Sequence, residues 1–249
     1  MTLEDKWRQV RLKVWGEHAL FTRPEMKVER VSYDIITPAA ARAILEAILW
    51  KPAIRWSVTG IDLLAPIRHG RSLVDEQSWD MAVTESAARP LRTTSVRRNE
   101  VGAVASTDNA IAAMRRGSGN LGLYVEDERQ QRAAQVLIDV AYLIHAQFEL
   151  TPQAGPEDTV QKFSEMFRRR AAKGQCHHRP YLGCREFAAH FALVEHGQDS
   201  PQPLPLDHDL GWMFYDFAYD QGRQPHFFRA ELKKGSLTVP PWESLEVRA

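Results

Sequence analysis

Strict alternation of apolar and polar positions predicts three strands. In residues 140–150 every second side chain is apolar, and His145 falls on the opposite, polar face. This period of two is typical of a half-buried β-strand. Residues 10–15 alternate in the same way. So do the first residues of the segment 53–67, within which Gly60 predicts a bulge or bend. The pattern therefore indicates a sheet with one apolar face.

A helical period replaces the alternation in residues 39–50. Apolar side chains recur there at spacings of one, three and four residues, at Ile44, Leu45 and Ile48. Thr37 is predicted to be the N-cap, and Pro38 suits the first helical position because no backbone N–H is needed there. The helix must end at Lys51, since the next residue is a proline.

A second helix is predicted from about residue 157 to residue 173. Gly155 and Pro156 precede it, acidic residues fill its first turn and basic residues fill its last turn. Gly174 is predicted to end the helix. The side chains expected to face the core are Val160, Phe163 and Phe167.

The order of predicted elements defines a fold class. With a further strand predicted over residues 181–194, the order is strand, helix, strand, insertion, strand, helix, strand, which is that of a split βαβ fold. We therefore predict an α+β protein with a ferredoxin-like (RRM-like) βαββαβ domain over residues 1–197, interrupted by an insertion at about 68–137. Residues 198–249 are predicted to form a small antiparallel β unit, with strands at 211–219, 226–232 and 236–239.

The composition limits the surroundings in which this chain acts. Thirty-two basic residues balance 32 acidic residues in a chain of 249. A nucleic-acid-binding protein with no net charge must gather its cations on one face. Two cysteines and no signal peptide favour the reducing cytoplasm. No apolar run is long enough to cross a membrane, so we expect no membrane partner.

One group of candidate RNA-binding cations lies in the loop before the first helix. It consists of Arg23, Lys27 and Arg30, with the rings of Phe21 and Tyr33 in the same loop. Cations interleaved with rings suit phosphates and splayed bases. A solvated loop is the alternative interpretation of the same composition.

Two further groups of cations are predicted to bind RNA. Arg97 and Arg98 lie in a predicted extended arm, so their side chains are expected to point to opposite faces. One would contact a phosphate and the other an acidic residue; a surface salt bridge is the alternative. Arg169, Arg170 and Lys173 lie in the last turn of the second helix, off its apolar stripe.

Two competing motifs are weak in this chain. Residues 117–122 contain G-x-G-x-x-G, but the predicted helix before them and strand after them are the reverse of what a dinucleotide site needs. A flexible loop is the better interpretation. The cysteines Cys176 and Cys184, with the histidines around them, lack the C-x-x-C spacing of a zinc knuckle. We predict neither a metal site nor a cofactor.

Several longer segments point to one family. They are residues 11–16, FTRPEMKVERVSY at 21–33, the first helix with WKPAIRW, RRNEV at 97–101 and GQCHHRPYLGCREF at 174–187. On these segments the chain resembles the fifth Cas protein family of CRISPR systems, in its type I-C (Dvulg) form. The resemblance implies a ferredoxin-like RNA-binding protein that cuts the repeat transcript and stays on the 5′ handle of the guide RNA. It also implies partners in the Cascade complex, the backbone and large subunits, and target DNA through that complex.

The resemblance also implies where the chemistry lies. In that family the catalytic roles are associated with an aromatic residue or histidine just before the W-K-P turn and with a Lys-His pair early in the second helix. Here the first position is Leu49, and the pair is Lys162 and Phe163, so only the lysine matches. Leucine cannot transfer a proton. We therefore expect the base, if this chain cuts RNA, to be His177 or His178.

Two functions remain open from the sequence. The first is a metal-independent endoribonuclease, in which a base activates the ribose 2′-hydroxyl and a cation stabilises the crowded phosphate. The second is a guide-RNA-binding and assembly subunit that does not cut, which the two altered family positions favour. Both predict a surface that binds the RNA backbone.

Overall fold

The computed structural model describes residues 7–26, 30–69, 114–118, 134–195, 200–219 and 222–249. In chain order the elements are β1 (Gln9–Ala19), β2 (Arg30–Val31), α1 (Pro38–Ile48), β3 (Ile54–Leu63), β4 (Ala134–Gln135), β5 (Leu137–Leu150), α2 (Val160–Ala172), β6 (His190–Leu193), β7 (His208–Ala218), β8 (Gln224–Lys233) and β9 (Ser236–Thr238). The described residues therefore form a mixed α/β protein with few helices.

One large antiparallel sheet dominates the structure. Its seven strands lie in the order β6-β1-β5-β3-β9-β8-β7, and every neighbouring pair is antiparallel. The register of β3 against β5 shifts between Val58 and Gly60, which confirms the predicted bulge. Strands β2 and β4 form a separate parallel pair.

Alternation in the strands decides which face of the sheet is buried. On β1, Val10, Leu12 and Val14 are at most 2% exposed, whereas the residues between them are half-buried or exposed. Val58 of β3 pairs with Ala146 of β5, and both are buried. These side chains form the apolar face that the sequence predicts, and the two helices pack against it.

Trp56 joins the two helices to the sheet. Its ring lies 5.2 Å from Phe148 on β5 and 4.8 Å from Phe167 on α2, measured between centroids. Its indole N–H donates to the carbonyl of Leu49, the C-cap of α1, at 2.9 Å. Since Trp56 is only 3% exposed, replacing it with alanine would cost about 3–5 kcal/mol.

The predicted start of α1 is confirmed, and that of α2 is three residues too early. Thr37 Oγ1 accepts a hydrogen bond from the backbone N–H of Ala40, as an N-cap does. In α2 the N-cap is Thr159, whose hydroxyl accepts from the backbone N–H of Lys162. The acidic residues that were expected in the first turn precede the helix, because Asp158 closes a turn with Gly155 instead.

The predicted strand over residues 181–194 is wrong for most of its length. Only His190–Leu193 forms a strand, β6, and before it a single bridge joins Tyr181 to Ala188. Gly183 breaks the extended backbone with φ of +85°. A Cβ at this position would lie 2.0 Å from the carbonyl oxygen of Leu20, so the tight approach requires glycine.

The three C-terminal strands are confirmed near their predicted positions. They extend the same sheet as the N-terminal strands, because β9 pairs with β3 through Ile61 and Leu237. Arg42 of α1 also contacts this part, since its guanidinium binds Asp216 of β7 at 2.7 Å. A domain boundary after residue 197 stays a prediction.

Some predictions fall on parts of the chain that the structure does not describe. The predicted arm at 95–106 lies outside the described residues, as do most of the predicted insertion and the second half of the glycine motif. Among the described helices, none is long and apolar enough to cross a membrane.

Candidate nucleic-acid interface

The end of α1 is held by two donors from the segment that closes α2. The backbone N–H of His177 donates to the Ala47 carbonyl at 2.8 Å, and the Arg170 guanidinium donates to the Ile48 carbonyl at 2.9 Å. The last carbonyls of a helix have no partner within it. These two bonds therefore satisfy the end of α1 and fix residues 170–177 against it.

A glycine turn brings the histidines to that place. The backbone N–H of Gln175 donates to the Arg170 carbonyl, and that of Gly174 to the Ala171 carbonyl, which together form a Schellman motif. Gly174 has φ of +64°, so the prediction that it ends α2 is confirmed. The chain reverses direction there and runs back across the end of α1.

His177 and His178 are both exposed at this junction. Their rings lie 6.0 Å apart, edge to face. Within the part of the chain that the structure describes, the ring nitrogens of both histidines have no hydrogen-bond partner. Both rings are therefore open to a ligand that reaches this surface.

The basic residues at the end of α2 have different surroundings. Arg169 and Lys173 are exposed. Arg168 is half-buried and pairs with Glu195, and Arg170 is half-buried and bound to α1 as described above. Of this group, Arg169 and Lys173 present their charges to solvent.

Lys162 lies at the opposite end of α2. Eight residues separate it from Arg170, which is about 12 Å along the axis at 1.5 Å per residue. Its ammonium pairs with Asp158 at 2.9 Å, and 44% of its side chain is exposed. The bonds from Lys162 and from the Gly155 N–H hold the pKa of Asp158 below its usual range. The structure thus places Lys162 on the same helix as the basic cluster, but not beside the histidines.

The two altered family positions are part of the core. Leu49 is 0% exposed and Phe163 is 3% exposed. Phe163 lies with Val160 and Phe167 in the main apolar cluster, as its stripe predicts. Neither side chain carries a proton to transfer, and neither is open to a ligand.

The loop before α1 differs from its prediction in one respect. Phe21 is 3% exposed and Tyr33 is 1% exposed, so the expectation that these rings stack on splayed bases is wrong. Both rings belong to the core cluster, where the Tyr33 hydroxyl accepts a hydrogen bond from the backbone N–H of Phe214 on β7. The Arg23 guanidinium lies 4.5 Å above the Tyr33 ring, and the Arg23 side chain is half-buried.

Arg30 connects this loop to the segment after the histidines. One of its guanidinium nitrogens lies 3.5 Å from the sulfur of Cys184. Cys184 is half-buried and lies in a turn, whereas the prediction had placed it in a strand. The other predicted RNA-binding cations, Lys27, Arg97 and Arg98, lie outside the described residues.

Sequence reasoning missed two arginines near the histidines. A surface cleft of about 410 Å³ is lined by His178, Arg179, Pro180, Tyr181 and Arg185. Both arginines are exposed, and a cleft with two guanidinium groups is suited to a phosphate. The signal was present in RPYLGCREF, where a glycine turn brings the residues on its two sides together.

Cysteine and histidine do not gather into a metal centre in the described ranges. Cys176 is exposed beside His177, whereas Cys184 contacts Arg30. No group of three or more histidine, cysteine or acidic side chains with metal-binding geometry occurs among the described residues.

A second polar cluster lies on the other face of the sheet. His145 on β5 bonds to Asp62 on β3 at 2.7 Å, and the hydroxyl of Ser236 on β9 donates to the same carboxylate at 2.7 Å. Burial raises the pKa of Asp62, but the bonds from His145 and Ser236 outweigh this effect and lower it. The cluster ties three strands together where β9 joins the sheet.

A large sheet backed by helices, with cations and paired histidines gathered at helix ends, is typical of a protein that binds the RNA backbone. A sequence model of the family described as CRISPR-associated protein (Cas_Cas5) matches residues 9–240. The chain belongs to this family.

Two relatives match nearly the full length of the chain. A protein of Mannheimia succiniciproducens named CRISPR pre-crRNA endoribonuclease Cas5d is 49% identical over 249 residues, covering 96% of this chain and 98% of the relative. A protein of Thermus thermophilus with the same name is 40% identical, covering 93% of this chain and 91% of the relative.

Solved structures show the same fold at low identity. One, titled as the crystal structure of a CRISPR-associated protein, has a TM-score of 0.64 at 21% identity and covers 97% of both chains. A functionally uncharacterized protein of Streptococcus mutans has a TM-score of 0.63 at 18% identity, with the same coverage.

Proposed function

We propose that this chain cuts the repeat transcripts of a CRISPR array and then stays on the 5′ handle of the guide RNA. The observation that carries this proposal is the 49% identity, over nearly the whole of both chains, to a relative named as a pre-crRNA endoribonuclease. The position of His177 and His178 adds a chemical reason, because two exposed imidazoles lie beside exposed cations.

The proposed chemistry needs a base, an acid and a cation. A base removes the proton of the ribose 2′-hydroxyl, and that oxygen attacks the adjacent phosphorus. The bond to the 5′ oxygen breaks, an acid protonates this leaving group, and a cyclic phosphate remains. His177 and His178 are the proposed base and acid. Lys162 is the proposed cation for a phosphate of the bound strand. Because these side chains would supply the base, the acid and the cation, we propose that cleavage is metal-independent.

The RNA is proposed to lie along α2. This path takes the backbone from the exposed Arg169 and Lys173 towards Lys162, which lies about 10 Å from Arg169 and about 16 Å from Lys173 along the helix axis at about 1.5 Å per residue. Arg179 and Arg185 extend the basic surface beyond the histidines. Arg23 and Arg30, with Lys27, Arg97 and Arg98 from outside the described residues, stay proposed RNA contacts.

A binding subunit that does not cut is the second candidate. The observation that favours it is the burial of Leu49 and Phe163, which occupy the positions where the resemblance places proton-transferring groups. Under this proposal the same surface binds the guide RNA, and the histidines contact the backbone without transferring a proton.

The fold and the partners complete the proposal. We propose that β1, α1, β3, β5, α2 and β6 form a ferredoxin-like unit; its support is the strand order β6-β1-β5-β3, with each helix following a strand of that set. The proposed partners are guide RNA, the other Cascade subunits and, through them, target DNA. A cytoplasmic location stays the expectation from the cysteine content.

Repeat RNA incubated with the purified protein in EDTA tests the proposal. We expect cleavage to a product with a cyclic phosphate end on a denaturing gel. Changing His177 and His178 together to alanine should abolish cutting, whereas His226→Ala on β8 serves as the control and should cut at the wild-type rate.

The outcomes separate the two candidates. If the wild-type protein binds the repeat tightly and never cuts it, the chain is a binding subunit. If the wild type cuts and the double histidine variant cuts equally fast, the assignment of the base is wrong and Tyr181 and His18 are the next candidates, whereas the burial of Tyr33 excludes it. Cutting that stops in EDTA would contradict metal independence.

A further inference from the structure

Trp50 is the most exposed of the described tryptophans, with 59% of its surface open. It follows the C-cap of α1 directly. Burying a tryptophan is favourable and exposing one is not. An indole held open at this position therefore suggests a ligand.

The faces of the Trp50 ring have no partner among the described residues. The other exposed tryptophans each have one: Trp15 stacks on His190, Trp212 has the Arg248 guanidinium 5.8 Å from its ring, and Trp242 lies 4.8 Å from His226. For Trp50, neither a ring nor a cation of the described ranges lies against the indole. Its stacking surface is thus available to another molecule.

The backbone on either side of Trp50 is fixed. Before it, the N–H of Leu49 donates to the Leu45 carbonyl, and the carbonyl of Leu49 accepts from the Trp56 indole. After it, the carbonyl of Pro52 accepts from the hydroxyl of Thr151 at 2.6 Å. The indole is therefore presented from a rigid turn, which lowers the entropy cost of binding.

Trp50 also lies between the two ends of the proposed RNA path. Three residues before it, the Ala47 carbonyl binds the backbone of His177. The next residue, Lys51, acts electrostatically on Asp158, which pairs with Lys162. Trp50 therefore lies in the chain between a residue bound to the histidine segment and a residue close to the pair of Lys162 and Asp158.

We propose that the Trp50 indole is a stacking platform for one nucleobase of the repeat RNA beside the scissile phosphate. Aromatic rings stack on any base because every base has a π face, and a basic groove beside such a ring follows the backbone. Stacking would hold one base while the histidines act on the adjacent ribose. This inference rests on the function proposed above, and names Trp50 as a substrate-positioning residue.

The test uses the full chain and the repeat RNA of its own array. One RNA carries a 2′-deoxy group at the scissile nucleotide, so that binding is measured without cleavage. Others carry 2-aminopurine at single positions on either side of the cut. We expect Trp50→Ala to weaken binding about 10-fold, the scale of one lost base stack, while Trp50→Phe stays within about 3-fold of wild type.

Fluorescence supplies a readout that loss of structure alone would not produce. Stacking quenches 2-aminopurine, so wild type and Trp50→Phe should quench one position next to the cut, and Trp50→Ala should not. Trp212→Ala is the matched control, because it removes an indole that is 48% exposed on β7, away from α2. It should bind, cut and quench as wild type does.

The failures of the two proposals are distinguishable. If wild type neither binds nor cuts the repeat, the proposed function fails before Trp50 is tested. If wild type binds and quenches at no position, or Trp50→Ala behaves as wild type, only this inference is overturned. If Trp50→Ala keeps the wild-type affinity for RNA and the wild-type cleavage rate but no longer copurifies with the other Cascade subunits, Trp50 contacts protein and the inference is also overturned.

Discussion

Lys162 is the one member of the family's Lys-His pair that this chain retains. Its ammonium already pairs with Asp158, and this pair lies at the surface, where solvent screens the attraction and the ion pair contributes little to stability. An RNA phosphate can therefore replace the carboxylate as its partner at little cost. The residue is available to a ligand although it is not free in the structure.

Lys162→Ala should lower cleavage more than binding. Lys162 lies too far along α2 to share a phosphate with the histidines, so it would hold a neighbouring phosphate and orient the scissile group; because binding energy used in this way appears in the rate, we expect the single-turnover rate to fall about 100-fold. The dissociation constant should change by less than about fivefold. Rates and affinities for the repeat RNA, measured on the same preparation, check this.

Lys233→Ala is the matched control for that variant. Lys233 is an exposed lysine that pairs with Glu231 at 3.2 Å on β8. Its loss should change neither quantity. Equal losses of rate and affinity in Lys162→Ala would instead identify Lys162 as a contact to the RNA backbone.

At the scale of elements, the junction between the end of α1 and the end of α2 positions the candidate site. The Schellman turn at Gly174 reverses the chain, and the bonds from His177 and Arg170 attach it to α1. Adjacent arginines of α2 consequently have different environments, since Arg169 is exposed and Arg170 is bound to the Ile48 carbonyl.

Arg170→Ala should destabilise the fold, and Arg169→Ala should not. Removing a charged donor from the carbonyl of the buried Ile48 leaves the end of α1 unsatisfied, which costs about 1–2 kcal/mol. Arg169 is exposed, so its replacement should stay within about 0.5 kcal/mol of wild type and weaken RNA binding instead. Chemical unfolding and RNA titrations of both variants provide the measurement. An unchanged unfolding free energy for Arg170→Ala would show that this bond does not hold the junction.

At the scale of the whole molecule, a chain with no net charge must attract RNA through a local surface. The described structure offers such a surface at the end of α2, where Arg169 and Lys173 are exposed beside the cleft with Arg179 and Arg185. The field of these groups is screened by salt within about 10 Å at 0.1 M.

Binding to repeat RNA should therefore weaken steeply as salt rises. Each phosphate neutralised on a single strand contributes about −0.7 to the slope of log affinity against log salt. The double variant Arg169→Ala, Lys173→Ala should reduce the magnitude of this slope by about 1.4. Arg55→Ala, which removes an exposed arginine of β3 that faces Glu149, should leave it unchanged. Affinities between low and physiological salt that do not differ would contradict the model of a clustered basic surface.

The local sequence pattern predicted structure correctly wherever burial and backbone conformation depend on neighbours in sequence. The alternation in β1 and β5, the Thr37 cap and the stripe of α2 follow from periods of 2 and 3.6, and all are present in the structure. The bulge at Gly60 and the end of α2 at Gly174 follow from backbone freedom that only glycine has.

Local pattern failed where a distant contact competed. Residues 181–188 are predicted to be part of a strand, but the close approach of Gly183 to Leu20 turns them back on themselves. Phe21 and Tyr33 lie in a polar loop, yet the fold covers them, and Tyr33 is bound to β7, more than 170 residues away along the chain. A sequence window contains no information about such partners.

The sequence by itself determined the class of fold, the family and the residue types from which a site can be made. Only the tertiary structure decided which of those residues meet: it attached Arg170 to α1, placed His177 at the end of that helix, left Trp50 open and separated Lys162 from the histidines by most of α2. The physical reason is that periodicity and capping are satisfied within a few residues. The partners of an unsatisfied helix end or an open ring come instead from segments that the sheet brings together over more than a hundred residues.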